Sequence, residues 1–230
     1  MSIEIGPSHF GKDYFTESES NYAYIGGYKT YDSDEYWEPM VQIIEKYGLK
    51  GRVLDFGCAY GFLLKRIEPY FEQSVGLDIS HFAISQAREQ APESSKYKNL
   101  LTVGNEMLPF PKNFFDAIIA LEVLEHTLSL ENSLRQLRSH LKPRGVLIAN
   151  MPVSGGWTEK LLSPLDRDMT HISIPTKDEL HEAISATGYT ILSESYGFDA
   201  IIKILGKTFV FRTGLIPSGV RLVLQKDEPS

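Results

Sequence analysis

The run Val53-Leu54-Asp55-Phe56-Gly57-Cys58-Ala59-Tyr60-Gly61-Phe62-Leu63-Leu64 leaves few folds open. It begins apolar and reaches an acid, as a buried strand does near its carboxyl end. A turn with glycines at 57 and 61 follows, and then an apolar helix start. A strand that feeds a helix through small residues brings backbone N–H groups close to a ligand's polar tail. The next strand-like run, Ser74-Val75-Gly76-Leu77-Asp78, ends in a second acid. That spacing suits a carboxylate gripping the two hydroxyls of a ribose. Together the two blocks point to a cofactor that carries a nucleoside.

The rest of the chain supplies strands and helices in alternation. Strands are expected at 52–56, 73–78, 100–103, 114–121, 145–150, 189–194 and 220–225. The run Phe114-Phe115-Asp116-Ala117-Ile118-Ile119-Ala120-Leu121 is almost continuously apolar, as a strand buried on both faces requires. Helices are expected at 32–47, 60–71, from Ser80 to about 91, 131–141 and from Thr176 to about 188. Met40, Ile43, Ile44 and Tyr47 share a face of the first, and Leu134, Leu137 and Leu141 a face of the fourth. Ser80 is placed to cap its helix, and Thr176 with Glu179 forms a capping box. Alternation of this kind implies right-handed crossovers and a mostly parallel sheet with helices on both faces, in one α/β domain over 1–230. Residues 1–48 read as an aromatic cap and a helix. Residues 152–175 and 197–218 read as insertions that build an acceptor site.

Composition removes several classes of function. A formal net charge of -7 and a pI near 5.4 argue against nucleic acid as the main partner, because phosphate binding needs a clustered basic surface. The single cysteine, Cys58, excludes an internal disulfide framework and points to a reducing compartment. Residues 1–10 lack a basic region followed by an apolar run, so no signal peptide is expected. No apolar stretch approaches the ~20 residues that span a bilayer. The expectation is a cytoplasmic protein with no membrane partner.

The cofactor is narrowed by the glycine turn. It reads Gly57-x-x-x-Gly61, whereas a dinucleotide site wants a glycine where Ala59 stands and another at Phe62. Asp55 before the turn would repel a phosphate and attract an ammonium or a sulfonium. An adenosine-bearing ligand with a positive centre and no phosphate is S-adenosylmethionine. Four blocks then carry a resemblance: Val53–Gly61, Val75–Asp78, Leu108-Pro109-Phe110-Pro111 leading to Phe115-Asp116, and Leu121-Glu122-Val123-Leu124-Glu125-His126. Leu141-Lys142-Pro143-Arg144-Gly145, with a strand ending at Met151-Pro152, continues it. In order and spacing, over roughly residues 50–195, the chain resembles the class I S-adenosylmethionine-dependent methyltransferases of the small-molecule group. The resemblance implies a three-layer Rossmann-like fold whose seven-stranded, mostly parallel sheet ends in an antiparallel strand.

It also implies roles. Asp55 and the backbone of Gly57, Cys58, Ala59, Tyr60 and Gly61 would hold the methionine end. Asp78 would take the ribose hydroxyls, with Ile79 packed on the adenine. Asn105, Glu106 and Met107 would contact the adenine, and Leu121 and Glu122 the sulfonium region. His126 would sit near the methyl group, and His126 and His171 are the candidate catalytic bases. Tyr14, Tyr22, Tyr24, Tyr28, Trp157 and Asp168 are candidate acceptor-site residues. Three departures stand out: Ala59 and Arg144 where the family often has glycine, and Gly104 where it often has the adenine-binding acid.

The implied reaction is methyl transfer to an oxygen, nitrogen or carbon of a small molecule, releasing S-adenosylhomocysteine. Three rivals remain: a catalytically silent cofactor-binding or partner module, an NAD-dependent oxidoreductase, which the glycine spacing disfavours, and a protein or RNA methyltransferase, which the acidic balance disfavours. No metal is expected. Ile201, Ile202, Ile204, Leu205, Phe209 and Phe211 suit either an apolar acceptor site or a homodimer face, and the sequence does not choose.

Overall fold

A computed structural model describes residues 6–16, 27–93, 95, 99–102, 108–155, 170–204, 207–213 and 219–228, with backbone alone at 99–102, 198–204, 207–209, 211 and 213. The chain falls into two compact units, residues 1–109 with 201–210, and residues 110–200 with 211–230.

In the first unit, β1 (Arg52–Phe56), β2 (Gln73–Asp78) and β3 (Asn99–Thr102) pair in parallel, with Leu54 opposite Val75 and Leu77 opposite Leu101. Val53 and Leu54 are wholly buried and Val75 and Leu77 nearly so, which is what a parallel sheet needs of its strands. The α-helices are α1 (Lys12–Thr16), α2 (Asp34–Lys46), α3 (Phe62–Ile67) and α4 (His81–Gln90). Helix α2 buries Trp37, Met40 and Ile44, one stripe at helical spacing. Its start is tied to α3 by Arg66, whose guanidinium lies 2.8 Å from Asp32 and 2.9 Å from Asp34. Helix α3 is shorter than the 60–71 expected. Pro69 carries no N–H to continue an α-ladder, and Glu68–Tyr70 finishes as a 3-10 turn.

The aromatic N-terminal segment packs as a cap on this unit. Phe10, Tyr14 and Phe15 are buried, and Phe15 lies 5.3 Å from the ring of Tyr60 and 6.2 Å from that of Phe82. Ser80 joins cap and scaffold through one hydroxyl. It accepts from the N–H of Ala83, capping α4, and donates to the carbonyl of Phe10 at 2.5 Å. Ser80→Ala removes an N-cap and a buried tertiary hydrogen bond, a loss of about 2 kcal/mol. Urea titration should resolve that difference, and a change below a few tenths would mean the hydroxyl anchors nothing.

In the second unit, β4 (Phe115–Leu121) pairs in parallel with β5 (Leu141–Pro152), and β8 (Gly219–Lys226) runs antiparallel to β5 and to β6 (Tyr189–Ile204). The last strand is thus antiparallel, as the resemblance implied. Helix α5 (Leu130–His140) buries Leu134 and Leu137, and α6 (Lys177–Ala186) starts in the Thr176–Glu179 capping box. Arg138 of α5 donates to the carbonyl of Gly188 at 2.8 Å, fixing α5 against the turn that follows α6.

Two expectations are corrected. Strand β5 begins at Leu141, not Gly145, because Arg144 adopts a left-handed φ of 60° and the strand passes through an irregularity opposite β4 instead of a separate turn. The described residues hold eight strands, not seven. Residues 197–218 contain the end of β6 and all of β7 (Lys207–Thr213), where the β-formers of Thr208-Phe209-Val210-Phe211 outweigh the flanking glycines and proline. Among the described residues no helix is long and apolar enough to cross a membrane.

Candidate active site

The residues that the resemblance assigns to the cofactor in the first unit gather at the carboxyl ends of β1 and β2. The glycine turn is referenced to β2: the N–H groups of Gly57 and Cys58 both donate to the carbonyl of Leu77, at 2.7 and 3.0 Å. Gly57 and Gly61 take φ of 84° and 74°, and Ala59 takes 43°, which is why the family favours glycine there. Asp78 holds the turn as well. Its carboxylate accepts from the N–H of Ala59 and of Ser80, both at 2.8 Å. A carboxylate offers about four lone-pair sites, so two remain for ligand hydroxyls.

Asp55 and Asp78 are both buried. Burial pushes Asp55 up to about 8, with the charge of Asp78 adding to the effect. Burial raises Asp78 to about 6, and its two backbone hydrogen bonds hold it from going higher. Asp55 Oδ2 is buried with no hydrogen-bond partner among the described residues. An acceptor left that way costs free energy unless something donates to it. An ammonium is the donor that such an anionic site fits, and a phosphate is what it rejects. The residues therefore fit a ligand with a positive methionine end and a ribose.

The rings of the N-terminal cap stand over this turn. Tyr28 stacks on Phe62, with centroids 5.6 Å apart and an interplanar angle of 9°, and meets Tyr60 edge-on at 5.0 Å. Its phenol is raised well above its ordinary pKa by burial, then by the charge of Asp55. Cys58 is buried, and its thiol is likewise pushed up, by burial first and then by Asp78 and Asp55. A thiol held neutral is packing material and not a nucleophile.

The second unit carries a distinct cluster just after β4. Glu122 leaves strand geometry at a φ of 52° while its N–H still donates to the carbonyl of Asn150 at 2.8 Å. That left-handed turn aims its carboxylate at the side-chain amide of Asn150. Crowding by protein raises Glu122 above the ordinary carboxylate range. A hydrogen bond with Glu125, the charges of His171 and Arg221, and the Asn150 amide oppose the rise. Glu125 and His126 lie in the 3-10 turn Leu124–His126, and Glu125 is wholly buried.

His126 and His171 come together, ring centroids 5.0 Å apart. His126 Nδ1 lies 3.0 Å from the carbonyl of Thr170, which can only accept. The Thr170 hydroxyl lies 2.9 Å from the same nitrogen, so Thr170 orients the ring through Nδ1. The segment bearing His171 is held by backbone: the N–H groups of Ile172 and Ser173 both donate to the carbonyl of Glu125 at 3.0 Å.

Of the residues expected to act, Asp55, Gly57 to Gly61, Asp78 and the half-buried Ile79 sit together in the first unit, with Tyr14 and Tyr28 in the cap. Tyr14 is buried between Phe10 and Phe15. Leu121, Glu122, His126 and His171 belong to the second. Tyr22, Tyr24, Asn105, Glu106, Met107, Trp157 and Asp168 lie outside the described residues. Glu125 and Thr170 were not singled out from sequence. The spacing Glu-x-x-Glu-His at 122–126 was the available signal for Glu125; for Thr170 there was none, since its contact is a tertiary one.

Comparison with known proteins agrees with this chemistry. A methyltransferase domain family matches residues 31–194. A tRNA U34 carboxymethyltransferase of Pseudoalteromonas translucida is 36% identical over 140 residues, 59% of this chain and 42% of its own length. A ubiquinone biosynthesis O-methyltransferase of Bradyrhizobium diazoefficiens is 30% identical over 99 residues, 43% of this chain and 39% of its own length. The chain thus spans less than half of either relative. The YcgJ protein of Bacillus subtilis superimposes with a TM-score of 0.65 at 18% identity, covering 84% of this chain and 100% of that one. An S-adenosylmethionine-dependent methyltransferase of Clostridium acetobutylicum gives 0.62 at 14% identity, covering 87% and 92%. These solved structures share the Rossmann-like α/β fold. The chain belongs to the methyltransferase domain family, whose cofactor is S-adenosylmethionine.

Proposed function

We propose that the methyl acceptor is a small molecule, and that the Glu122–Glu125–His126–His171 cluster handles it. The acidic balance, a net charge of -7, supports this reading over an RNA acceptor, although one relative is named for its action on tRNA. The observation that carries the cofactor assignments is the buried Asp55 oxygen with no hydrogen-bond donor among the described residues, beside a carboxylate still able to accept from two hydroxyls.

When bound, the cofactor supplies a methyl group on a positively charged sulfur. Asp55 holds the ammonium end, Asp78 the ribose hydroxyls, and Ile79 one face of the adenine. Asn105, Glu106 and Met107 are assigned to the adenine by the resemblance, and Leu121 to the sulfonium region. Methyl transfer needs little covalent help, so most of the acceleration comes from alignment of acceptor and methyl group. Tyr28 and the cap exclude water above the turn, and Tyr14, Tyr22, Tyr24, Trp157 and Asp168 complete the acceptor surroundings. An oxygen or protonated nitrogen acceptor must also lose a proton. His126 takes it at Nε2, its other nitrogen held by Thr170.

His126→Ala and His171→Ala are expected to lower turnover by about 10²- to 10⁴-fold while calorimetry finds cofactor affinity within a factor of about three of the parent. Full activity in both variants removes the cluster from the chemistry. Salt dependence separates the acceptor classes. An RNA acceptor would weaken steeply between low and high salt, whereas a small neutral acceptor would not.

A further inference from the structure

We propose that Glu125, His126 and His171 form a binding site for a divalent transition-metal ion of the zinc or manganese type. One ligand atom from each residue lies within 4.8 Å of the other two. Metal–ligand bonds of about 2.1 Å place neighbouring ligands about 3.4 Å apart in a tetrahedron and about 3.0 Å apart in an octahedron. Side-chain shifts of about an ångström bring the three atoms from within 4.8 Å of one another to the tetrahedral spacing.

The support around them is what a metal site requires. A ligating histidine presents one nitrogen to the metal and donates its other N–H to a carbonyl or carboxylate. His126 has such a partner in Thr170, whose carbonyl lies 3.0 Å and Oγ1 2.9 Å from Nδ1. His171 rides on a segment fixed to the backbone of Glu125 itself, through Ile172 and Ser173. The ligand set is therefore assembled by main-chain geometry and does not depend on mobile side chains alone. Sequence spacing hid it, because His171 is far from the 122–126 turn along the chain.

The donor set selects the metal. Two imidazoles and one carboxylate suit zinc, manganese, iron or cobalt, whereas magnesium and calcium prefer an all-oxygen set. Three protein ligands leave positions open, as catalytic sites do and structural sites do not. This extends the acceptor reading above. An acceptor hydroxyl bound at an open position is ionised by the metal and loses its proton to solvent water. The oxygen then forms the new C–O bond as the methyl–sulfur bond breaks, with sulfur keeping the electron pair. With the ion bound, the imidazoles would hold it and solvent water would take the hydroxyl proton in place of His126.

The full chain, stripped with a chelator and dialysed, would be titrated calorimetrically with zinc sulfate, manganese chloride and magnesium chloride, each alone. One zinc ion per chain is expected to bind in the micromolar range or tighter, with manganese weaker and magnesium undetected. His171→Ala and Glu125→Gln should each weaken zinc at least a hundredfold, whereas His81→Ala, at an exposed histidine on α4, should not. Each variant is first shown to bind S-adenosylmethionine like the parent, so that misfolding is not mistaken for ligand loss. Unchanged zinc affinity in His171→Ala, no zinc binding by the parent, or magnesium preferred over zinc would each overturn the site. Zinc binding without methyl transfer to any hydroxylated small molecule would keep the site and overturn the acceptor reading instead.

Discussion

Asp78→Ala is expected to weaken S-adenosylmethionine binding by at least about a hundredfold. Two ribose hydroxyls lose a charged acceptor, and hydrogen bonds to charged groups contribute about 1.5 to 3 kcal/mol each. The same carboxylate is also the acceptor for the N–H groups of Ala59 and Ser80, so the variant loosens the turn as well as the ligand. Asp78→Asn separates the two effects. Its single carbonyl oxygen can serve only one of the two amides, and its NH₂ faces the other N–H, donor against donor. Calorimetry on both variants should rank the parent first, Asn second and Ala last. Equal affinities in all three would remove Asp78 from the cofactor site.

Asp55→Asn is expected to stabilise the ligand-free protein at alkaline pH while it cripples cofactor binding. Asp55 titrates near 8 in the folded protein and near 3.8 without its surroundings. The folded chain therefore keeps a proton that the unfolded chain has released. Stability from this group is full below about pH 4 and is lost as pH rises towards 8. Asparagine carries no such charge. The melting temperature of the parent should fall between pH 5 and 8 more steeply than that of the variant, and Asp55→Asn should lead at pH 8 by about 2 kcal/mol or more. Parallel curves would mean that the buried carboxyl costs nothing. The charge that burdens the empty fold is the one an ammonium relieves, so the same variant should lose cofactor affinity more than about tenfold.

Much of the cofactor half was legible because its signals are local. An apolar strand ending in an acid, glycines where φ must be positive, and a second acid one strand later all lie within residues 53–78. The caps at Ser80 and Thr176 were legible for the same reason: each depends on residues three apart. What could not be read depends on tertiary neighbours. The dual role of Asp78 rests on the N–H of Ala59, which only the packed turn brings to it. The orientation of the His126 ring is set by the backbone carbonyl and hydroxyl of Thr170, a tertiary neighbour that the sequence does not place beside it. Strand β7 was missed because Thr213, Gly214 and Pro217 suggest a loop, while the β-propensity just before them is realised only beside a partner strand. Arg144 illustrates a subtler limit. The residue type argues against a left-handed turn, yet Arg144 adopts one within β5, where the pairing with β4 shifts register.

The paired hydrogen bonds from Gly57 and Cys58 to Leu77 have a consequence for how the sequence can drift in length. They measure the position of the glycine turn from the second strand, not from the helix that follows it. The other end of the same strand pair is held in a similar way, because the N–H groups of Glu72 and Gln73 both donate to the carbonyl of Gly51, beside the buried Phe71. The β1–β2 pair is thus clamped at both ends. A residue inserted between α3 and β2 would meet the Gly51 clamp before it reached Asp55, the turn and Asp78.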